Sequence, residues 1–396
     1  MKIALGLEYP LTLRGGVSVL VEKLIEGLAP TYGIVLVSPD PAGFQHKGVS
    51  QHVYWDPAVV SRDRSRNLGE TLAKLGVSLA HFHAGGNFGW GWRIPGQSPI
   101  GFLTRNGIPC VTTIHIVLSL LDGYCDSRKP FWFKLAVLPL AWAGKLDELR
   151  QVRAEIVISK AGCEHVRRWY FPFRGRFQSI YHSRIEPDAA THGVAREPMV
   201  LCVGHLALRK GQHTVVAAFA RIAAAHPEWK LVLIGEPSKD DCSRMVQQLI
   251  VTHKLEDRVL LLGSRDDAIE FMRRAAIFVQ PSLFEGLPLA LQEAMFYDCA
   301  CVATRVVGNK ELIEDGRTGL LVPPLDPKAL AKTLDCLIRD PAQRQTLARA
   351  GAVSILERGM TARKMIEKHI ALYDSLLPVR SSRVEPRLNP AAQLKS

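Results

Sequence analysis

The sequence predicts an α/β protein built of two doubly wound domains. Three observations carry that prediction. The chain has 396 residues, more than one ordinary core and enough for two of roughly 150 to 200 residues each. Short apolar, strand-like runs alternate with helical pattern in both halves, as parallel sheets with crossover helices require. The stretch 186–198, bounded by Pro187 and Pro198 with Gly193 between them, interrupts that rhythm and reads as a linker. An apolar content of 47% with 22% charged residues can fill a core in each half and excludes disorder as the main state.

In the first half, Lys2–Leu7 reads as a strand and 8–14 as a loop. Gly15-Gly16 then opens an amphipathic helix with Val17, Leu20, Val21, Leu24, Ile25 and Leu28 on one face. Further strands are expected at Ile34–Ser38, Leu79–His83, Cys110–His115 and Glu155–Ser159. After the linker the pattern restarts with strands at Met199–Val203, Trp229–Ile234, Arg258–Leu262, Ile277–Gln280 and Ala300–Ala303, and helices at Gly211–Ala225 and Pro288–Phe296. This assigns 1–185 to a first domain, 199–358 to a second, and 359–379 to a C-terminal helix returning to the first. The tail 380–396, rich in Pro, Ser and Arg, is expected to be disordered.

Eight cysteines are scattered without a Cys-x-x-Cys pair, mostly inside apolar runs, and read as reduced thiols. The N-terminus enters a strand at once, so no secretion signal is expected. Phe131–Leu146 is apolar but interrupted by Lys134 and Pro139 and is too short to span a bilayer. The expected location is cytoplasmic, with peripheral attachment to the inner face of the plasma membrane as an option. Between residues 128 and 184 twelve Lys or Arg face four acidic residues, an excess of eight out of a net +12, interleaved with Trp132, Phe133, Trp142, Trp169 and Phe171. Such a surface suits anionic headgroups; a solvated basic face is the plainer reading. No nucleic-acid motif accompanies it.

Two motifs carry chemistry. In Gly204-His205-Leu206-Ala207-Leu208-Arg209-Lys210-Gly211 a glycine closes a strand, two cations follow, and a second glycine opens a helix. Helix N–H groups, the helix dipole and Lys210 or Arg209 together form a cradle for a diphosphate. In Ser282-Leu283-Phe284-Glu285-Gly286-Leu287-Pro288, Glu285 sits in a strand-to-helix loop, and Glu293 lies eight positions on, inside the helix that Pro288 starts. On one helix that spacing would be about 12 Å, wider than the roughly 5 to 9.5 Å between the paired carboxyls of a glycoside hydrolase. It suits two carboxylates gripping two parts of one extended ligand.

These motifs, with Gly308-Asn309-Lys310-Glu311 and the run through Gly319 to Pro324, resemble the family 4 type of retaining glycosyltransferases, the glycosyl transferases group 1. The resemblance covers nearly the whole second half. It implies the GT-B fold, two Rossmann-like domains facing across a cleft. It also implies that a nucleoside diphosphate sugar is the donor and a saccharide or lipid-linked molecule the acceptor. Lys210 and Arg209 would meet the donor diphosphate, with Gly204 and His205 beside them. Glu285, Gly286, Leu287 and Pro288 would meet the sugar, Glu293 the ribose, and the loop at Ser264 and Arg265 the base. The family usually has Arg where His205 stands, so Arg209 or a protonated His205 would have to supply that charge.

The first half matches more loosely. Gly15-Gly16-Val17 looks like the family's glycine loop, and His115 like its cleft histidine. His81 and His83 share a strand face and, with His115, could suggest a metal site; the resemblance implies cleft lining instead, with no metal and no cofactor. Two alternatives stay open, a non-catalytic partner subunit of the same fold and a sugar-nucleotide epimerase.

Overall fold

A computed structural model describes residues 1–13, 15–41, 43–57, 59, 61–84, 97–117, 131–187 and 195–377. The expected tail, most of the linker and Cys125 lie outside the described residues.

The first sheet has seven strands: β1 (Lys2–Leu7), β2 (Gly33–Ser38), β3 (Val49–Tyr54), β4 (Val77–Ala84), β5 (Cys110–Ile114), β6 (Ala154–Val157) and β7 (Phe177–Ser179). Their order is 3-2-1-4-5-6-7, and every pairing is parallel. Crossovers run through α1 (Gly16–Leu28), α2 (Arg62–Lys74), α3 (Pro99–Arg105), α4 (Phe131–Gln151) and α5 (Lys160–Trp169). The second sheet has six strands: β8 (Glu197–Val203), β9 (Lys230–Ile234), β10 (Val259–Leu261), β11 (Ala275–Gln280), β12 (Ala300–Thr304) and β13 (Leu320–Val322). Its order is 10-9-8-11-12-13, again all parallel. Its helices are α6 (Gln212–Ala220), α7 (Cys242–Thr252), α8 (Ala268–Arg274), α9 (Leu289–Phe296), α10 (Val307–Leu312), α11 (Pro327–Arg339) and α12 (Pro341–Glu357). Each sheet is therefore buried on both faces, which is why its central strands read as unbroken apolar runs.

Each sheet reverses its strand order once, between β1 and β4 and between β8 and β11. In open parallel sheets ligands bind outside the strands' C-terminal ends at such a point. The glycine loop follows β1, the Gly204–Gly211 loop follows β8, and the Glu285 loop follows β11, so the topology alone brings these segments to the reversals.

The final helix, α13 (Ala362–Leu376), leaves the second domain and packs on the first. Met365, Leu372 and Tyr373 join the core formed by α1, β1 and β2, and Tyr32 donates to Asp374 at 2.7 Å. Gly27 makes the helix crossing possible, since a Cβ there would lie 2.1 Å from Ile366.

Several boundaries depart from the sequence reading. The helix expected over 211–225 stops at Ala220 and resumes only as a 3₁₀ turn at Ala223–Ala225. His226 precedes Pro227, and a residue before proline is driven out of the helical region. The edge strands β3 and β7 had no counterpart in the sequence reading. Seven cysteines are described and all are free; six are buried, whereas Cys336 is exposed on α11. Burial pushes the Cys110, Cys202 and Cys299 thiols up to about 12, so they stay protonated.

Helix α4 is split in character. Its C-terminal half is pinned by Lys145, fully buried and 2.7 Å from Glu155 and 2.9 Å from Glu148. Burial drives the Glu148 carboxyl up to about 7 against the pull of Lys145. Its N-terminal half instead shows Phe131, Trp132, Leu135, Leu140 and Trp142 to solvent. Among the described residues no helix is long and apolar enough to cross a membrane.

Candidate functional site

The two reversal points face each other across one cleft of about 460 Å³, lined from both domains. Gly16, His115, Gly204, His205, Arg209, Lys210, Ser264, Arg265, Glu285, Gly286, Leu287, Pro288 and Glu293 lie on its wall, whereas His81 and His83, expected to line the cleft, are buried on β4 behind His115 and do not reach it.

The cradle after β8 is set by backbone. Gly204 has φ +150° and its N–H donates to Ile234 O at 2.8 Å. Residues Leu208–Lys210 make one 3₁₀ turn, and Gly211 in the left-handed region (φ +74°) redirects the chain into α6. A Cβ on Gly211 would lie 2.3 Å from Pro281 O, so glycine is required there twice over. Gln212, missed in the sequence, ties the loop: its Nε2 donates to Gly204 O at 3.1 Å and His205 O at 2.8 Å.

Lys210 and Glu285 meet. The ammonium lies 2.7 Å from Glu285 Oε1, which also accepts from Ser282 Oγ at 2.6 Å and Gln280 Nε2 at 3.1 Å. Arg209 sits 3.9 Å from Oε2 and stacks on Phe284 at 5.2 Å. The cradle cation and the loop carboxylate therefore form one charge-paired unit. His205 is exposed on the cleft wall. Arg265 forms two bonds of 2.7 Å with Asp267 at the outer edge.

The loop after β11 touches the opposite domain directly. A Cβ on Gly286 would lie 2.1 Å from His115 O, and one on Gly308 2.6 Å from Glu285 O. Pro288 caps α9, and Glu293 within it is buried. Arg184, unmarked by any motif, reaches Glu293 Oε1 with Nε at 2.7 Å and Nη2 at 2.5 Å. Burial pushes the Glu293 carboxyl up, against the pull of Arg184. A second carboxylate also crosses between domains. Glu311 accepts from Lys160 N at 3.0 Å and Ala161 N at 3.1 Å, the first turn of α5, and from Tyr181 Oη at 2.7 Å.

On the first domain's side, Gly15 precedes α1 and Gly16 starts it; a Cβ on Gly16 would meet nothing within 4 Å, so the helix end is open to the cleft. The loop before it is fastened by Asp40, fully buried, which accepts from Leu11 N at 2.7 Å, Thr12 N at 3.1 Å and Ser38 Oγ at 2.7 Å. Those bonds hold its carboxyl below the ordinary value although burial alone would raise it.

His115 directly follows β5, and its Nε2 lies 3.1 Å from His83 Nδ1. Behind it His81, His83, His182 and His369 continue as a buried cluster, ring against ring at 4.3 to 5.7 Å. Both nitrogens of His81 are engaged, by Tyr373 Oη at 2.6 Å and Thr113 Oγ1 at 2.7 Å. Among the described residues no set of side chains is arranged to hold a metal ion. Burial lowers the His115 pKa to about 3 and that of His369 to about 4, and lowers those of His81, His83 and His182 well below the usual value. All five rings are neutral at pH 7.

Residues 186–353 match the family model described as Glycosyl transferases group 1. Those residues, most of the second domain, carry the family's pattern. It is 31% identical over 261 residues to the alpha-D-kanosaminyltransferase of Streptomyces kanamyceticus, across 62% of this chain and 65% of that one. It is 32% identical over 224 residues to the lipopolysaccharide core biosynthesis mannosyltransferase LpcC of Rhizobium leguminosarum bv. viciae, across 51% and 62%. The match thus spans under two thirds of either relative. Among solved structures, a glycosyltransferase of Rickettsia africae superposes with a TM-score of 0.72 at 17% identity, over 95% of this chain and 98% of that one. HepE of Anabaena, solved with UDP, gives 0.71 at 18%, over 95% and 100%. The fold of this chain is GT-B, two parallel α/β sheets across a cleft.

Proposed function

We propose that this chain moves a sugar from a nucleoside diphosphate sugar to a hydroxyl of a saccharide or lipid-linked acceptor, with retention at the anomeric carbon. The Lys210–Glu285 unit beneath the Gly204–Gly211 cradle carries the reading: it puts a cation where a diphosphate would leave and a carboxylate where sugar hydroxyls would lie, at the point where both sheets reverse. In this reading Lys210, Arg209 and the start of α6 stabilise the departing diphosphate. Glu285 and the amides of Gly286 to Pro288 orient the sugar, Glu293 takes the ribose, and Ser264 and Arg265 flank the base. His115 and the start of α1 at Gly16 face them from the acceptor side. Neutral His115 can exchange a hydrogen bond with a sugar hydroxyl without adding charge. The leaving phosphate accepts the acceptor's proton, because among the described cleft residues the carboxylate nearest the sugar, Glu285, is already paired with Lys210.

The named activities of the two curated relatives, both sugar transfers, support the class, and the lipopolysaccharide relative supports cell-surface glycoconjugates as the setting. The aromatic half of α4, together with exposed Phe171 beneath Arg174, supports docking on an anionic cytoplasmic membrane face where a lipid-linked acceptor would lie. The test is thermal unfolding against UDP, GDP, ADP and their common sugars, followed by transfer assays with the stabilising donor. Stabilisation by one nucleotide series that vanishes in Glu293→Ala supports the reading. No stabilisation by any series moves the non-catalytic subunit ahead, and isomerised donor without acceptor marks an epimerase.

A further inference from the structure

Arg184 belongs to none of the motifs, yet it makes the one described ion pair that Glu293 has. Its neighbours fix it from both sides. Tyr181 is tied to Glu311, Ile185 is buried in the second domain's core and accepts from Ala362 N at 2.9 Å, and Glu186 pairs with Lys23 of α1 at 2.7 Å. The backbone of 180–187 is thereby clamped between the domains, and the Arg184 side chain, about one-third exposed, is delivered to the cleft. Both of its bonds go to Oε1 of Glu293. Oε2 meets no donor among the described residues.

We propose that Arg184 is a positioning residue for the ribose site: it holds Glu293 as a carboxylate with one oxygen occupied and the other turned to the nucleotide's 2′,3′-diol. The proposal rests on the reading of Glu293 as the ribose ligand and adds to it what makes that ligand competent. A diol can donate both hydroxyls, and an ionised carboxylate accepts both more strongly than a protonated one, which turns one of its oxygens into a donor. Buried as Glu293 is, it needs a cation beside it to remain ionised. The other titratable groups around it supply none. Tyr297, just past the end of α9, is neutral and stacked under Arg273 of α8 at 5.2 Å, while Lys210 is committed to Glu285. Arg265 is committed to Asp267.

The experiment is isothermal titration of UDP, GDP and ADP, each beside its 2′,3′-dideoxy form, into wild type, Arg184→Ala and Arg184→Lys from pH 6 to 8.5. Wild type is expected to prefer the ribose form of its nucleotide at least tenfold at pH 7. Arg184→Ala should lose most of that preference at pH 7 and regain it as pH rises and Glu293 ionises, and Arg184→Lys should keep part of it. A residue acting only in folding would weaken both forms alike and leave the preference and its pH profile unchanged. An unchanged preference in Arg184→Ala at every pH overturns the assignment. Absence of any preference in wild type overturns the ribose reading of Glu293 itself, and this assignment with it. Should Arg184→Ala fail to fold, Arg184→Gln carries the same comparison.

Discussion

Lowering the pH from 7.5 to 5.5 should strip stability from this protein through its five buried imidazoles, and the amount can be worked out. Each ring has a folded-state pKa below the ordinary value near 6.5, to about 3 for His115 and about 4 for His369, first because of burial. No carboxylate bonds to any of the five rings among the described residues, and the pull of Met365 O on His369 is outweighed by burial. A depressed histidine pKa means the unfolded chain binds the proton and the folded one does not. The stability is therefore full above about pH 6.5 and is lost as pH falls toward the folded pKa. Between pH 7.5 and 5.5 His115 and His369 each account for about 1.4 kcal/mol, and burial shifts His81, His83 and His182 in the same direction. The clean measurement is a difference. Urea unfolding of wild type and His369→Asn at both pH values should show the variant losing about 1.4 kcal/mol less than wild type. Asn can still donate to Met365 O, which His369 Nδ1 contacts at 2.8 Å, and any constant packing loss cancels. An identical pH loss in the two proteins would refute the picture of a neutral ring at 369.

Lys210→Ala should weaken UDP, GDP or ADP binding by roughly 10- to 100-fold, the size of a lost charge-assisted bond, and Arg209→Ala by less; titration calorimetry showing equal, negligible losses would remove the cradle assignment. Gly211→Ala forces a side chain into the left-handed region, costing about 1–2 kcal/mol before the Pro281 clash, so calorimetry should show the melting temperature fall by several degrees and nucleotide-induced stabilisation disappear. Asp40→Ala leaves the buried Leu11 amide without its acceptor, at about 1–3 kcal/mol, and hydrogen exchange should speed up at Leu11 and Thr12 while the second domain is unaffected.

What the sequence showed and what it hid follow from range. Parallel strands buried on both faces, such as β1 and β11, announce themselves as apolar runs, and the loops after β8 and β11 carry glycines and charges close together in the chain. The strand β3 was invisible because it is an edge, half exposed and polar at Ser50, Gln51 and His52. The side chains that complete the site meet across long separations. Arg184 and Glu293 are 109 residues apart, and His81 and Tyr373 are 292 apart. No local pattern encodes such a pair. Arg184 was counted in the sequence only as one of twelve basic residues in a surface-like run, and Gln212 looked like an ordinary helix-opening residue.

The return of α13 to the first domain means that the polypeptide passes between the two halves twice, once after β7 and again between Arg358 and Ala362. The bond from Ala362 N to Ile185 O laces these two passages together. A body hung from one cord can twist and tumble; a body hung from two cords fastened side by side can only swing like a door. Any widening of the cleft would therefore have to bend both passages at that lacing and lift Gly286 from its seat against His115.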